Sequence, residues 1–435
     1  MMYKAERGKP FLVGASILIW LLILISFRFL GYEQTWILWN VSPEKPPFLD
    51  FRLIPGSAES FVHGFEPSIE NPYDPHTRVF NYPAFWRLFF YTGITQDDTI
   101  WIGILMIVMF FVSAFLFPET LSLPGALGML LVLFSPASML LYERANADLI
   151  AFVVCVMSVL ALRRSAGLAA LLIAFGSIVK MFPFFGISIF LKESKKKFLF
   201  LSAGCLLVLI LYMAATWESV VASWTLTERG KQASYGTNVF VIGYQPAIHS
   251  VLSQWLAPDI IDLLLQYMPV ATAFILLVGA ALLAFRNNRQ PEAIGGSNLA
   301  AFRMGASIYI GTFFLGNNWD YRLAFLVLVV PKLVEWMYSE IKLVRIIARS
   351  NMAFILLSCW HFLLLRISSE SIFNSAADSM NFWIILDEVF NWLLFTGLGY
   401  LLFASTPTWV KELPGTIFSK FASPSRHERI DFPVS

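Results

Sequence analysis

The sequence predicts an all-α, polytopic transmembrane helical bundle, and three observations carry that prediction. Mean hydropathy is +0.68. Only 14% of the 435 residues are charged, against about a quarter in soluble proteins. Apolar runs of roughly 20 residues, the length that crosses bilayer hydrocarbon, recur along the chain. So little charge cannot keep a surface this size in water, so lipid is the expected solvent for much of it.

The runs follow in order. The first, 11–31, is flanked by Lys4, Arg7 and Lys9. It is long enough to span and no small-x-small cleavage pattern follows, which reads as an uncleaved first helix rather than a signal peptide. Further runs lie at 99–117, 123–142, 147–162, 165–180, 182–192, 197–216, 259–285, 299–316, 321–338, 351–367 and 383–405. Together they predict about twelve membrane segments in a single domain, 1–405, followed by a tail, 406–435. The runs 165–180 and 182–192 are short and interrupted by Lys180 and Pro183. That is the pattern of a broken or re-entrant pair, whose backbone must be enclosed by protein or line a cavity.

Charge orients the segments. Alternating crossings from a cytoplasmic N-terminus put Lys4/Arg7/Lys9, Arg163/Arg164, Lys192/Lys195/Lys196/Lys197, Arg286/Arg289, Lys342/Arg345/Arg349 and the tail lysines and arginines on one side. This arrangement obeys the positive-inside rule and predicts both termini in the cytoplasm. The polar segments left over fall on the outer side: a long first loop at 32–98, the turn 141–148, the loop 217–250, the run 316–322 and the stretch 368–382. They mix Asp, Glu, Arg, Lys, Asn, Tyr and Trp, whereas the middles of the apolar runs are nearly free of charge. Polar chemistry gathered on one surface suits an interfacial enzyme or receptor better than a conduit.

Several classes of chemistry are missing from the sequence. It has no HExxH, GxSxG or Walker pattern, and its five histidines are scattered. Cys155, Cys205 and Cys359 each sit inside an apolar run, with no CxxC. A net charge of +2 gives no reason to expect a nucleic-acid partner. No cofactor is expected, although the acidic residues leave room for a divalent ion. What remains is an outer carboxylate with cationic and aromatic neighbours. Such a set fits transfer of a group from a lipid-phosphate donor to a hydroxyl: a carboxylate takes the proton, Lys or Arg stabilises the departing phosphate, and aromatics line the groove.

The ordered polar motifs resemble a known family. Asp50-Phe51-Arg52 follows the first helix, then His63-Gly64, Asn71-Pro72-Tyr73 and Tyr82-Pro83. Glu143-Arg144-Ala145-Asn146-Ala147-Asp148 comes next, then Lys180-Met181-Phe182-Pro183 and Gly316-Asn317-Asn318-Trp319-Asp320-Tyr321-Arg322. The set is similar to the C-type (GT-C) membrane glycosyltransferases, and most to glycosyltransferase family 87, the polyprenyl-phosphate-mannose-dependent α-mannosyltransferases. It covers roughly residues 1–340. The resemblance implies a GT-C-like fold, a polyprenyl-phospho-sugar donor, a glycan or glycolipid acceptor, and Asp50 as general base for an inverting transfer. It also implies a plasma (inner) membrane location with the site on the outer face.

Asp50 has a second reading, as the N-cap of a helix starting near Phe51. Asp74 is the reserve base, with a turn role before Pro75 as its simpler account. Lys180, Arg322 and Arg144 are the candidates for binding the donor phosphate, with snorkelling or, for Arg144, pairing with Glu143 as the alternatives. Tyr82, Asn146, Asp148, Asn238, Asn317 and Asp320 are candidates for binding sugar or acceptor hydroxyls, and His249 reads as structural. Two positions depart from the family pattern. Ala84 replaces a second proline, and Arg144-Ala145 stands where many members have Gly-Gln; both bear on the donor sugar. The competing functions are a polysaccharide polymerase or ligase and a lipid-linked sugar transporter or flippase. The absence of arginine from 368–382 argues against the first. A transporter calls for paired half-helices, hinted at only around Pro183.

Overall fold

The computed structural model describes residues 7–230, 233–286, 298–369 and 382–412. Lys4, Arg289, residues 370–381 of the late polar stretch and the tail beyond 412 lie outside the described residues. Helices dominate: α1 (Gly8–Leu38), α2 (Leu49–Val62), α3 (Thr99–Leu116), α4 (Leu123–Leu133), α5 (Pro136–Arg144), α6 (Asp148–Ala161), α7 (Ala166–Val179), α8 (Lys195–Ala215), α9 (Trp217–Leu226), α10 (Val239–Leu252), α11 (Pro258–Arg286), α12 (Leu299–Phe314), α13 (Val330–Trp336), α14 (Lys342–Cys359), α15 (His361–Ser369), α16 (Phe382–Ala404) and α17 (Thr408–Lys411). Tighter 3-10 helices occupy Ala84–Tyr91, Phe182–Lys192 and Asp320–Leu328. Two short strands, β1 (Ser234–Tyr235) and β2 (Asn318–Trp319), pair antiparallel with Ser234 opposite Trp319.

Among the described residues, five helices are long and apolar enough to cross a membrane: Gly8–Leu38, Gln96–Leu116, Lys195–Ala215, Pro258–Arg286 and Phe382–Ala404. The bent pairs α4/α5, at 53°, and α14/α15, at 60°, bring the number to as many as seven. The remaining apolar helices, including α6, α7, α10 and α12, have 10–17 residues. The run 123–142, expected as one segment, breaks because Ser135 caps a new helix: its Oγ accepts from Ser138 N at 3.3 Å, and Pro136 takes the first helical position. The run 321–338, also expected as one segment, is a 3-10 helix followed by the short α13, with Pro331 in the first turn of α13. Residues 32–98 do not form an open loop. They carry the end of α1, all of α2 and the 3-10 turn Ala84–Tyr91, which packs on α2.

The layering follows from what each helix exposes. α12 is the inner element, with every residue from Ala301 to Phe313 buried. By contrast, α1, α8 and α11 hold out large apolar side chains such as Leu22, Phe29, Phe200, Leu211, Phe274 and Ile275. Apolar patches this extensive are not sustained against water, and lipid satisfies them. The breaks that place the polar residues are local. α5 ends at Ala145, in the left-handed region at φ 44°. Three residues later α6 begins, its Asp148 N donating to Asn146 Oδ1 at 3.0 Å. α7 ends at Lys180, whose extended backbone (φ −149°, ψ 131°) turns the chain into Phe182–Lys192.

Candidate functional site

The start of α2, the α5–α6 turn, the end of α7 and the segment from β2 to Arg322 meet at one cluster. Asp50 is the second residue of α2, and Phe48 occupies the cap position without a side-chain bond. The carboxylate of Asp50 therefore does not cap its helix; it accepts from Asn146 Nδ2 at 2.7 Å. The same Asn146 amide lies 3.3 Å from the hydroxyl of Tyr321. Arg78 Nη1 stands 3.8 Å from Asp50 Oδ1, and the Tyr82 hydroxyl donates to the backbone carbonyl of Asp50 at 3.3 Å. Asp50 keeps 24% of its side-chain surface exposed, so an incoming hydroxyl can reach it. Enclosure on its other sides pushes the carboxyl above the usual carboxylate range. The Asn146 hydrogen bond and the Arg78 and Lys180 charges oppose that rise, and the Asp148 charge adds to it.

Asp148 forms the second half of the cluster. Its carboxylate is wholly buried between two cations, with Lys180 Nζ 3.2 Å from Oδ1 and Arg322 Nε 2.8 Å from Oδ2. Arg322 Nη1 also donates to Asn318 Oδ1 at 2.5 Å. Lys180 Nζ lies 4.7 Å from the centre of the Tyr82 ring, and the Arg322 guanidinium lies 5.1 Å from that of Phe182. Both rings hold their cations by charge–quadrupole attraction. Lys180 and Arg322 share the Asp148 carboxylate, and the Lys180 charge also reaches Asp50, so the cluster holds cations and carboxylates in close balance. The side chains of Lys180 and Arg322 remain 14% and 18% exposed, which suits them to an anionic group arriving beside Asp50.

Asp50, Tyr82, Asn146, Asp148, Lys180 and Arg322 thus come together. Arg144 is adjacent but committed elsewhere: Nε lies 3.3 Å from Glu143 Oε2 and Nη2 lies 3.4 Å from Glu44 Oε1. Glu143 also accepts from the Tyr32 hydroxyl and from Glu44 N, each at 2.8 Å.

Three other candidates do not join the cluster, because their side chains close local structure. Asn317 clamps Gly230, accepting from its N–H at 3.0 Å and donating to its carbonyl at 2.7 Å. Asn238 packs at the β1–α10 junction, its N–H donating to Gly316 O at 2.9 Å and its amide lying against Gly316. Asp320 is wholly enclosed and lies 3.5 Å from His361, away from Asp50.

Asp74 is buried as a turn former, accepting from His76 N and Arg78 N, both at 3.0 Å, and gripping the Arg78 guanidinium. His249 pairs with Asp262 at 2.9 Å. Sequence reasoning passed over Arg78, Tyr321 and Asn318. Tyr321 and Asn318 lie inside a motif already singled out, and Arg78 is the only cation in the Asn71–Tyr82 stretch. Among the described residues, no group of three His, Cys, Asp or Glu has a geometry that holds a metal ion.

No protein-family model matches the chain, and no curated protein and no solved structure is significantly similar to it.

Proposed function

We propose that the chain is an integral membrane glycosyltransferase that moves a sugar from a polyprenyl-phosphate donor to an acceptor hydroxyl, with Asp50 as general base. One observation carries the reading. An accessible carboxylate, oriented by Asn146, lies within charge range of Lys180, which converges with Arg322 from a separate element onto Asp148. In this reading Asp50 removes the proton of the acceptor hydroxyl, whose oxygen attacks the anomeric carbon. The bond from that carbon to the phosphate oxygen breaks, and the electron pair leaves with the polyprenyl phosphate. Lys180 and Arg322 stabilise the charge that develops there. Attack opposite the leaving group inverts the anomeric configuration. A donor anchored in lipid accounts for a catalytic cluster mounted on helices that expose apolar surface. The finer topology belongs to the same proposal: about twelve segments if the shorter apolar helices also cross, a GT-C-like arrangement, cytoplasmic termini and an outward-facing site in the plasma membrane.

The test uses the full chain in lipid nanodiscs with a polyprenyl-phospho-sugar labelled in the sugar. Release of polyprenyl phosphate, lost in Asp50→Asn with folding intact, supports the reading. Passage of intact donor across a vesicle bilayer without bond cleavage overturns it in favour of a flippase.

A further inference from the structure

Behind the site lies a second buried polar cluster. Asp320 immediately precedes Tyr321 and Arg322, but its side chain points the other way. Its carboxylate is wholly enclosed, and neither oxygen has a hydrogen-bond partner among the described residues. His361, at the α14–α15 break, puts Nε2 3.5 Å from Asp320 Oδ2 and Nδ1 4.0 Å from Asp387 Oδ2. Nδ1 also lies 2.8 Å from Ser358 O, which identifies it as a donor. Among the described residues, the titratable groups around this imidazole include Asp320 from the 3-10 segment, Asp387 and Glu388 from α16, and Cys359 from α14. The cluster is tied inward as well: Asn391 Nδ2 donates to Asp387 O at 3.0 Å, and the Tyr309 hydroxyl of α12 donates to Asn391 Oδ1 at 2.9 Å.

Carboxylates enclosed in an apolar interior are costly unless a charge of opposite sign or a proton compensates them. An imidazolium between Asp320 and Asp387 supplies that charge while its Nδ1–H serves Ser358 O. We infer that His361 is a positioning residue: by holding Asp320 it fixes the short segment 318–322, and so aims Tyr321 and Arg322 at the Asp50–Asp148 cluster. The last helices, α14 to α16, thereby take part in building a site whose named side chains come from other elements. The kinetic consequence rests on the transferase reading, and the structural consequence does not.

The test compares His361→Gln, Asp320→Asn, Asp387→Asn and the double variant Asp320→Asn/His361→Gln, each as the full chain in nanodiscs. Amide hydrogen exchange over 316–328 is the first readout, with exchange in α3 reporting intact folding. The second readout is kcat and donor KM with the labelled polyprenyl-phospho-sugar. Each single substitution is expected to speed exchange in 316–328 and to lower kcat by about a hundredfold, the scale of a small misplacement of a catalytic group, with a smaller change in KM. The double variant puts an amide pair where the imidazolium and the Asp320 carboxylate stood, leaving Asp387 alone, and is expected to recover part of the protection lost in His361→Gln. Wild-type exchange in the single variants, or a double variant no better than the worse single, overturns the inference. A wild-type chain that transfers no sugar but follows the exchange pattern removes the transferase reading and leaves the positioning role standing. Asp387→Asn serves if Asp320→Asn fails to fold, since it removes the opposite wall of the same imidazole.

Discussion

Asn146 donates its side-chain amide to Asp50 Oδ2 at 2.7 Å while accepting the backbone N–H of Asp148. One residue thus sets both the direction of the candidate base and the start of the helix that carries the cation-binding carboxylate. The charge relationships around this pair give the first expected outcome. Asp50→Asn keeps the size of the side chain and its contact with Asn146 but removes the basic oxygen. Transfer is expected to fall by about 10²–10⁴-fold, the range for loss of a general base, with the thermal unfolding midpoint little changed. Radiolabelled sugar transfer and a melting curve check both halves.

The second outcome concerns pH. The base works only when ionised, so activity falls as pH drops through its folded pKa, and burial has placed that pKa above the ordinary carboxylate range. The Asn146 hydrogen bond opposes the rise. Asn146→Ala therefore moves the acidic limb of the kcat/KM profile to higher pH, whereas Arg322→Lys leaves that limb closer to its wild-type position. An acidic limb unmoved by Asn146→Ala would show that Asp50 is not the titrating group.

Third, Asp148 is a stability residue as much as a site residue. Removing the anion from a buried pair typically costs about 3–5 kcal/mol, because a cation is left without compensation. Here Asp148→Asn strands two, Lys180 and Arg322. A large drop in the unfolding midpoint is expected. Adding Lys180→Met to Asp148→Asn should recover part of it.

Fourth, Arg322→Lys is not a mild change. The guanidinium uses Nε for Asp148 and Nη1 for Asn318 at once, a fork an ammonium cannot reproduce. Donor KM is expected to rise about tenfold or more, as measured from initial rates over a donor titration.

Fifth, a Cβ on Gly311 would overlap the Phe185 ring. Gly311→Ala is expected to destabilise the chain by about 1–3 kcal/mol, the usual range for overpacking. The thermal midpoint reports it, and the acidic limb of the pH profile should not move.

How much of this was legible in the sequence depends on the kind of signal. Hydropathy is a property of whole runs, so the helical, lipid-facing character of α1, α3, α8, α11 and α16 could be read directly. The break at Ser135-Pro136 could also have been read, from a capping serine followed by proline, but the apolar run on either side concealed it. In the site, Lys180 and Arg322 stood out as charges at the ends of apolar runs, whereas Asp50 came forward through the resemblance of the motif that carries it. The stretch from Gly316 to Arg322 misled because its backbone is extended and then 3-10, so neighbouring side chains point in different directions. Asn317 turns to Gly230, Asn318 to Arg322, Asp320 to His361, and Tyr321 back to Asn146. A polar run read as one patch is in fact divided among three. Asp387 and Glu388 carried a signal that went unused: adjacent acids at the head of an apolar run mark an enclosed polar partner, here His361.

The enclosure of α12 on every side separates the chain into a part that lipid touches and a part it does not. A thicker or thinner bilayer presses first on the long helices at the rim, α1 and α11, which can tilt to meet it. The segment bearing Tyr321 and Arg322 leaves from the sheltered end of α12, so its aim is insulated from that adjustment. One sequence can therefore keep the same polar geometry in membranes of different composition, and drift in the side chains of the rim helices carries little penalty as long as they stay oily.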